Sequence, residues 1–213
     1  MAEKLDLEIR QRIIDGSMHL FNQYGVRSVT MDDVAREVSM SKKTLYQYFT
    51  NKDGLVTAAA KSHIEQEKVE YAGIAEVAEN AIDELRLIGD CMRKDLRDMN
   101  PSLLFDLQKF HREAWDAFLD FKNEFIRGNI EQNLQRGIAE GYYREDLDVR
   151  ILSRFRVEQV QMIFDPRVFS TEEYSFLEVQ MQLYHHFVYG LLTEKGRRLF
   201  NDYNKNEAKT TIS

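Results

Sequence analysis

Residues 29–55 read VTMDDVAREVSMSKKTLYQYFTNKDGL, and this stretch decides the fold. Thr30 is placed to cap a helix whose first turn holds Asp32 and Asp33, where negative charge suits the helix dipole. Val34, Ala35 and Val38 make the inner face of that helix. Ser39-Met40-Ser41 breaks it, and Ser41 caps a second short helix running to about Tyr48. Leu45 and Phe49 lie four residues apart and share a face, so they pack back on the first helix. Ala35 is small and allows close approach at the crossing. Asn51 then caps a longer helix that opens with Lys52-Asp53. Two short helices joined by a tight turn have helix-turn-helix spacing.

Tyr46, Tyr48 and Phe49 cannot all face inward on one short helix. The face opposite Leu45 and Phe49 presents Lys42, Lys43, Thr44, Gln47 and part of Tyr46. Lysines suit phosphate contacts, hydroxyls suit phosphate or base edges, and Gln47 suits an adenine edge. The start of the next helix, at Asn51-Lys52, offers free backbone N–H groups and a lysine for a further phosphate.

This pattern resembles the DNA-binding domain of TetR-type (tetracycline-repressor-like) transcriptional regulators. The resemblance covers about residues 9–55 and rests on Ala35, Ser41, Leu45-Tyr46, Tyr48-Phe49, Lys52-Asp53 and Leu55 in combination. It implies a homodimeric repressor, with three N-terminal helices for DNA and a larger helical domain for dimerisation and ligand sensing. Tyr46 and Tyr48 are then expected near a double-stranded, palindromic DNA operator, and Lys52 on a phosphate. Thr30, Ser41, Lys43 and Thr44 carry over as further contacts. One departure stands out: the family usually has glycine where this chain has Ser39. If that position needs positive φ, serine costs about 1 kcal/mol.

The totals agree with a helical protein. Only Pro101 and Pro166 interrupt 213 residues, and so few breakers favour long helices. Cys91 is the single cysteine, so no internal disulfide and no CxxC zinc site exists. No apolar run is long enough to span a membrane, and MAEKLDLEIRQRI has no apolar signal core. These features predict a cytoplasmic protein with no membrane partner. Net charge is −7, yet residues 1–55 carry eight Lys/Arg and eight Asp/Glu. The deficit lies in residues 56–213, with 21 basic and 28 acidic groups. A neutral head binds DNA only if its basic groups share a face.

The reading predicts an all-α chain with two domains: residues 1–50 for DNA, and 51–213 for effector binding and dimerisation. Helices are expected over about 6–24, 55–71, 75–98, 101–111, 112–140, 148–164 and 171–193 besides the two short ones, with a frayed polar tail after residue 200. The middle segments are rich in aromatics. Phe105, Phe110, Trp115 and Phe118, with His111 and Cys91, are either packed core or the lining of a pocket for an unknown small molecule, apolar or aromatic in character. Along the last two long helices, apolar stripes are either core or a dimer face. Phe155, Ile163, Phe176, Leu183, Tyr184, Phe187 and Leu191 are the dimer candidates, since the family resemblance implies a four-helix contact there.

Nothing in the chain points to catalysis. There is no GxSxG, no Gly-rich phosphate loop and no positioned nucleophile. The five histidines form no HExxH, so no metal or cofactor is expected. The main rival to a DNA-binding regulator is an all-helical adaptor without DNA selectivity.

Overall fold

With so few helix breakers the chain is all-α. This computed structural model describes residues 2–97, 99–165, 167–170 and 172–210, without the side chains of residues 2, 3 and 206–210. Its helices are α1 (Ala2–Tyr24), α2 (Met31–Glu37), α3 (Lys42–Tyr48), α4 (Lys52–Val77), α5 (Ala81–Arg97), α6 (Leu103–Phe110) and α7 (Arg112–Asp120). A π-helical turn (Phe121–Ile126) follows, then α8 (Arg127–Ala139), α9 (Val149–Met162), α10 (Phe176–Leu191) and α11 (Glu194–Thr210). The only β feature among the described residues is an isolated bridge between Tyr143 and Leu192. None of the described helices is long and apolar enough to cross a membrane.

The chain packs as two compact units. One comprises Met1–Glu67 with Asp98–Phe121, the other Lys68–Arg97 with Lys122–Ser213. In the first unit, Ile13 and Phe21 of α1, Val34 and Ala35 of α2, Leu45 of α3 and Leu55 of α4 are all buried. Gly25 stops α1 with φ 78°, and its N–H closes the last turn on Phe21 O at 2.9 Å. Only a residue without Cβ takes that angle at no steric cost. The α6 region braces this head. Asn100 N–H donates to Asn22 O at 2.7 Å, and Arg27 N–H donates to Asp106 at 3.1 Å.

In the second unit Ala81, Ile82, Leu134, Tyr143, Val188, Leu191 and Phe200 form one apolar cluster. Tyr143 is its centre and is fully buried. A buried phenol needs a partner: its hydroxyl donates to Asn133 Oδ1 at 2.8 Å, and Asn133 Nδ2 donates to Ala81 O at 3.1 Å.

Several helix ends differ from the sequence expectation. The break expected near residue 72 falls instead after Val77. A side chain at Gly73 would meet only open space, and one solvent-facing glycine costs a helix about 1 kcal/mol, too little to end it. The stop comes where Asn80 Oδ1 accepts the N–H groups of Ile82 and Asp83, both at 3.0 Å, and opens α5. The last long helix begins at Phe176 behind the cap Ser175, whose side chain accepts Glu178 N–H. Pro166, which follows the helix expected over 148–164, and Thr171, which opens the one expected over 171–193, lie outside the described residues. The described part of the tail expected to fray, residues 201–210, continues α11. Phe200 is buried there, and Tyr203 packs on the same core and accepts a hydrogen bond from Asn80 Nδ2 at 3.2 Å.

Gly137 tests the central packing. A Cβ built on it would overlap the Tyr143 ring, which is fixed at both its face and its hydroxyl. Gly137→Ala is expected to lower unfolding free energy by about 3 kcal/mol, read as a lower urea midpoint.

Candidate nucleic-acid interface

The head of the first unit is set by its caps. Thr30 caps α2 in a capping box with Asp33: the Thr30 side chain accepts Asp33 N–H at 3.2 Å, and Asp33 Oδ2 accepts Thr30 N–H at 2.8 Å. The Thr30 hydroxyl also donates to Asp33 at 2.6 Å, and these bonds lower the Asp33 pKa. Ser41 caps α3 by accepting Thr44 N–H at 3.1 Å. Between them α2 closes as a Schellman turn, with Met40 N–H on Ala35 O at 2.9 Å and Ser39 N–H on Arg36 O at 3.1 Å. Ser39 therefore occupies the position that favours glycine, and its φ is 52°. Arg12 of α1 donates to Val38 O at 2.7 Å and holds the same turn from below.

The outward face of α3 follows from its inward one. Leu45 and Phe49 are buried, at 0% and 5% exposure. Lys42, Lys43, Tyr46 and Gln47 are exposed, and Thr44 is half-buried. Lys42 Nζ lies 2.7 Å from Asp32 Oδ1, and that contact raises its pKa. Among the described residues Lys43 has no ion-pair partner. Thr30 and Ser41 are exposed at the starts of α2 and α3, their oxygens occupied by the caps.

Two residues turn from the outward face. Tyr48 is half-buried, and its phenol bonds Asp6 of α1, which raises its pKa. Lys52 Nζ donates to Val26 O at 2.6 Å, with Arg27 O at 3.5 Å, and burial lowers its pKa. It straps the start of α4 to the α1–α2 turn. Nearby, His111 Nδ1 and Asp53 Oδ1 lie 2.7 Å apart, tying the same helix start to the α6–α7 junction. Spacing gave no sign of either strap, because the partners are 26 and 58 residues away in sequence.

The six pocket candidates divide between the units. Cys91 belongs to the second, whereas Phe105, Phe110, His111, Trp115 and Phe118 belong to the first. Phe105 and Phe110 are exposed at 37% and 45%, and Lys109 stacks over both rings. Trp115 and Phe118 pack on each other at 5.2 Å. Cys91 Sγ lies 3.3 Å from Asp95, with Glu70 in the same group of possible metal ligands. Burial and the two carboxylates push this thiol pKa far up, so it acts as a protonated hydrogen-bond donor.

The dimer candidates split by burial. Ile163, Tyr184, Phe187 and Leu191 lie in the core, Phe176 and Leu183 are half-buried, and Phe155 is 51% exposed. The sequence reading missed Arg156, the neighbour of Phe155. It is 4% exposed on the inward side of α9, four residues after Leu152. A charge at an apolar stripe position was the available signal.

A helix-turn-helix head, with an all-α unit beside it in the chain, defines a class of DNA-binding regulators, and the comparisons agree. Residues 13–59 match the family model described as bacterial regulatory proteins, tetR family. The HTH-type transcriptional regulator YvaF of Bacillus subtilis is 32% identical over 113 residues, which cover 51% of this chain and 59% of that protein. The HTH-type transcriptional repressor KstR2 of Mycobacterium tuberculosis is 22% identical over 149 residues, 68% of this chain and 74% of that one. Among solved structures, a transcriptional regulator from Saccharomonospora viridis in complex with choline superposes with TM-score 0.71 at 15% identity, covering 88% of this chain and 99% of that one. Residues 13–59 thus carry the tetR-family DNA-binding region, and the chain is similar beyond it to transcriptional regulators of that type.

Ser39 gives a local test. Ser39→Gly removes the left-handed strain but adds unfolded-state freedom. The net is expected to be a gain of about 0.5–1 kcal/mol, seen as a higher Tm in calorimetry.

Proposed function

We propose that the protein is a cytoplasmic homodimeric repressor that binds a palindromic operator through α3 and releases it when a small organic effector binds the second unit. The observation that carries this reading is the two-sided chemistry of α3: Leu45 and Phe49 inside; Lys42, Lys43, Tyr46 and Gln47 outside. Residues 27–52 hold five Lys/Arg and three Asp/Glu, a local positive surplus within a neutral head. Lys43 is the most available phosphate ligand, and Lys42 becomes one when DNA displaces Asp32. Tyr46 offers a hydroxyl and a ring edge, and Gln47 and Thr44 reach base edges. Thr30 and Ser41 meet phosphates at the helix starts. Tyr48 and Lys52 act through placement, holding α3 against α1 and α4.

A seven-residue helix reads few base pairs, so two heads about 34 Å apart are needed for a half-site pair. The second unit supplies a face for pairing. On α9, Ile151, Phe155 and Met162 are exposed at 65%, 51% and 37%. On α10, Leu183 is half-buried and Gly190 faces open space. An effector that binds only one spacing of the heads shifts the dimer away from the operator-competent state. The relative KstR2 is named a repressor, which supports the repressor role.

Fluorescence anisotropy on a genomic operator library tests the DNA reading, and absence of sequence-selective binding at low salt would end it. Lys43→Ala is expected to weaken binding on all sequences and lower the salt slope by about 1. Gln47→Ala shifts preference among operators instead. Lys52→Ala weakens affinity while leaving the salt slope intact, since it removes a strap and not a phosphate contact. For the dimer, Phe155→Asp is expected to give a monomer in light scattering at micromolar concentration, with a circular dichroism spectrum like the parent.

A further inference from the structure

Among its described residues, the second unit buries two cations on or against α9, Lys122 and Arg156, and only Lys122 has an anion. Lys122 is 4% exposed, and its Nζ lies 3.4 Å from Glu158 Oε2 and donates to Gln161 Oε1. Arg156 is equally buried, yet no carboxylate among the described residues pairs with it. Its Nη1 has no hydrogen-bond partner, and its Nη2 has the Met92 sulfur at 3.9 Å, a weak acceptor. The guanidinium instead lies over the rings of Tyr184 and Phe187, at 5.2 and 5.6 Å. An enclosed water can accept an N–H, but it cannot neutralise the charge.

Two amides complete the cluster. Gln180 Nε2 donates to the same Met92 sulfur at 3.4 Å, so Gln180 and Arg156 meet there. Gln159 stands one turn along α9 from Arg156, on the same side. Gln159 and Gln180 are 6% and 2% exposed, and the Oε1 of each lacks a donor. Interchanging amide O and N would only exchange which atom goes unpartnered.

We propose that Arg156, Gln159 and Gln180 form the head-group site for an organic anion that also carries hydrogen-bond donors, a hydroxycarboxylate being the simplest case. Its carboxylate sits on Arg156, and its hydroxyl donates to a glutamine oxygen. This rests on the reading of the second unit as an effector domain and adds the charge of the effector. The rings of Tyr184 and Phe187 already hold the chain's own cation, so a quaternary ammonium such as choline finds no free aromatic face here. An anion's charge would also offset the desolvation that lowers the Arg156 pKa.

The test uses the full-length protein in thermal melts and titration calorimetry. Sodium lactate, mandelate and propionate are the probes, with lactamide and choline as neutral and cationic controls, and sodium chloride at matched ionic strength as blank. At least one hydroxycarboxylate is expected to raise Tm saturably, by about 5 °C at ~100-fold excess over Kd, while lactamide and choline do nothing. Arg156→Met should weaken that binding at least about 30-fold. Without probe, this variant should melt above the wild type, since it loses an uncompensated buried charge. Gln180→Leu should abolish the preference for lactate over propionate. No shift by any carboxylate, an equal shift in Arg156→Met, or a lower probe-free Tm for that variant would each overturn the proposal. Wild-type operator affinity without probe is measured alongside. Selective DNA binding without an anion shift defeats only this proposal, and an anion shift without DNA binding defeats only the regulator reading.

Discussion

The burial of Leu45 and Phe49 fixes what the head can do. The two side chains share one face of α3, and their burial forces Lys42, Lys43, Tyr46 and Gln47 to the other face. Burying two such side chains is worth about 1.5–3 kcal/mol each. A turn of α3 about its axis would lose that and hide Lys43 and Gln47. The surrounding bonds guard the same geometry. Arg12 holds the end of α2, Lys52 the start of α4, and Asp6 the Tyr48 hydroxyl. Chemistry aimed at DNA is therefore supported by chemistry aimed at the protein.

The second unit obeys the opposite logic around Arg156. Its apolar cluster is closed, and Tyr143 and Asn133 satisfy each other within it. Arg156 has no such closure. An unpaired buried charge costs on the order of several kcal/mol, and stacking on two rings returns about 1–2 kcal/mol. Lys122, with Glu158 beside it, shows that this chain can place a counter-charge against α9. That contrast is what supports the proposed anion site at Arg156.

Much of the head was legible from local spacing. Caps such as Thr30, Ser41 and Asn51 act within three residues of themselves, so sequence order reports them directly. Ser39 is the sharpest case, because the family pattern marked the one residue other than glycine, among those described, whose backbone takes a left-handed angle. Lys52 shows where such reading ends. Its position matched a phosphate-binding lysine, but its partner is a carbonyl 26 residues away, and no local pattern encodes that. The same limit applied to the aromatics. Cys91 stood with Phe105, Phe110 and Trp115 as a pocket candidate without support from spacing, and these residues fall in two units. Tyr184, Phe187 and Leu191 also read equally well as core or interface, since a stripe has one inner face whichever partner covers it. Only burial separated them from Phe155.

Charge ties the two units to the proposed function. The surplus of acid in residues 56–213 is seven charges, which opposes DNA at long range. At physiological salt the screening length is about 8 Å, so only groups near the phosphates matter once the head has docked. The neutral head then acts through the local surplus on and around α3, while the acidic remainder disfavours binding in any other orientation. Weak non-specific affinity follows from the same balance, because that affinity grows with each phosphate neutralised. On the proposed reading, discrimination among operators depends on Thr44, Tyr46 and Gln47 more than on attraction to DNA as such.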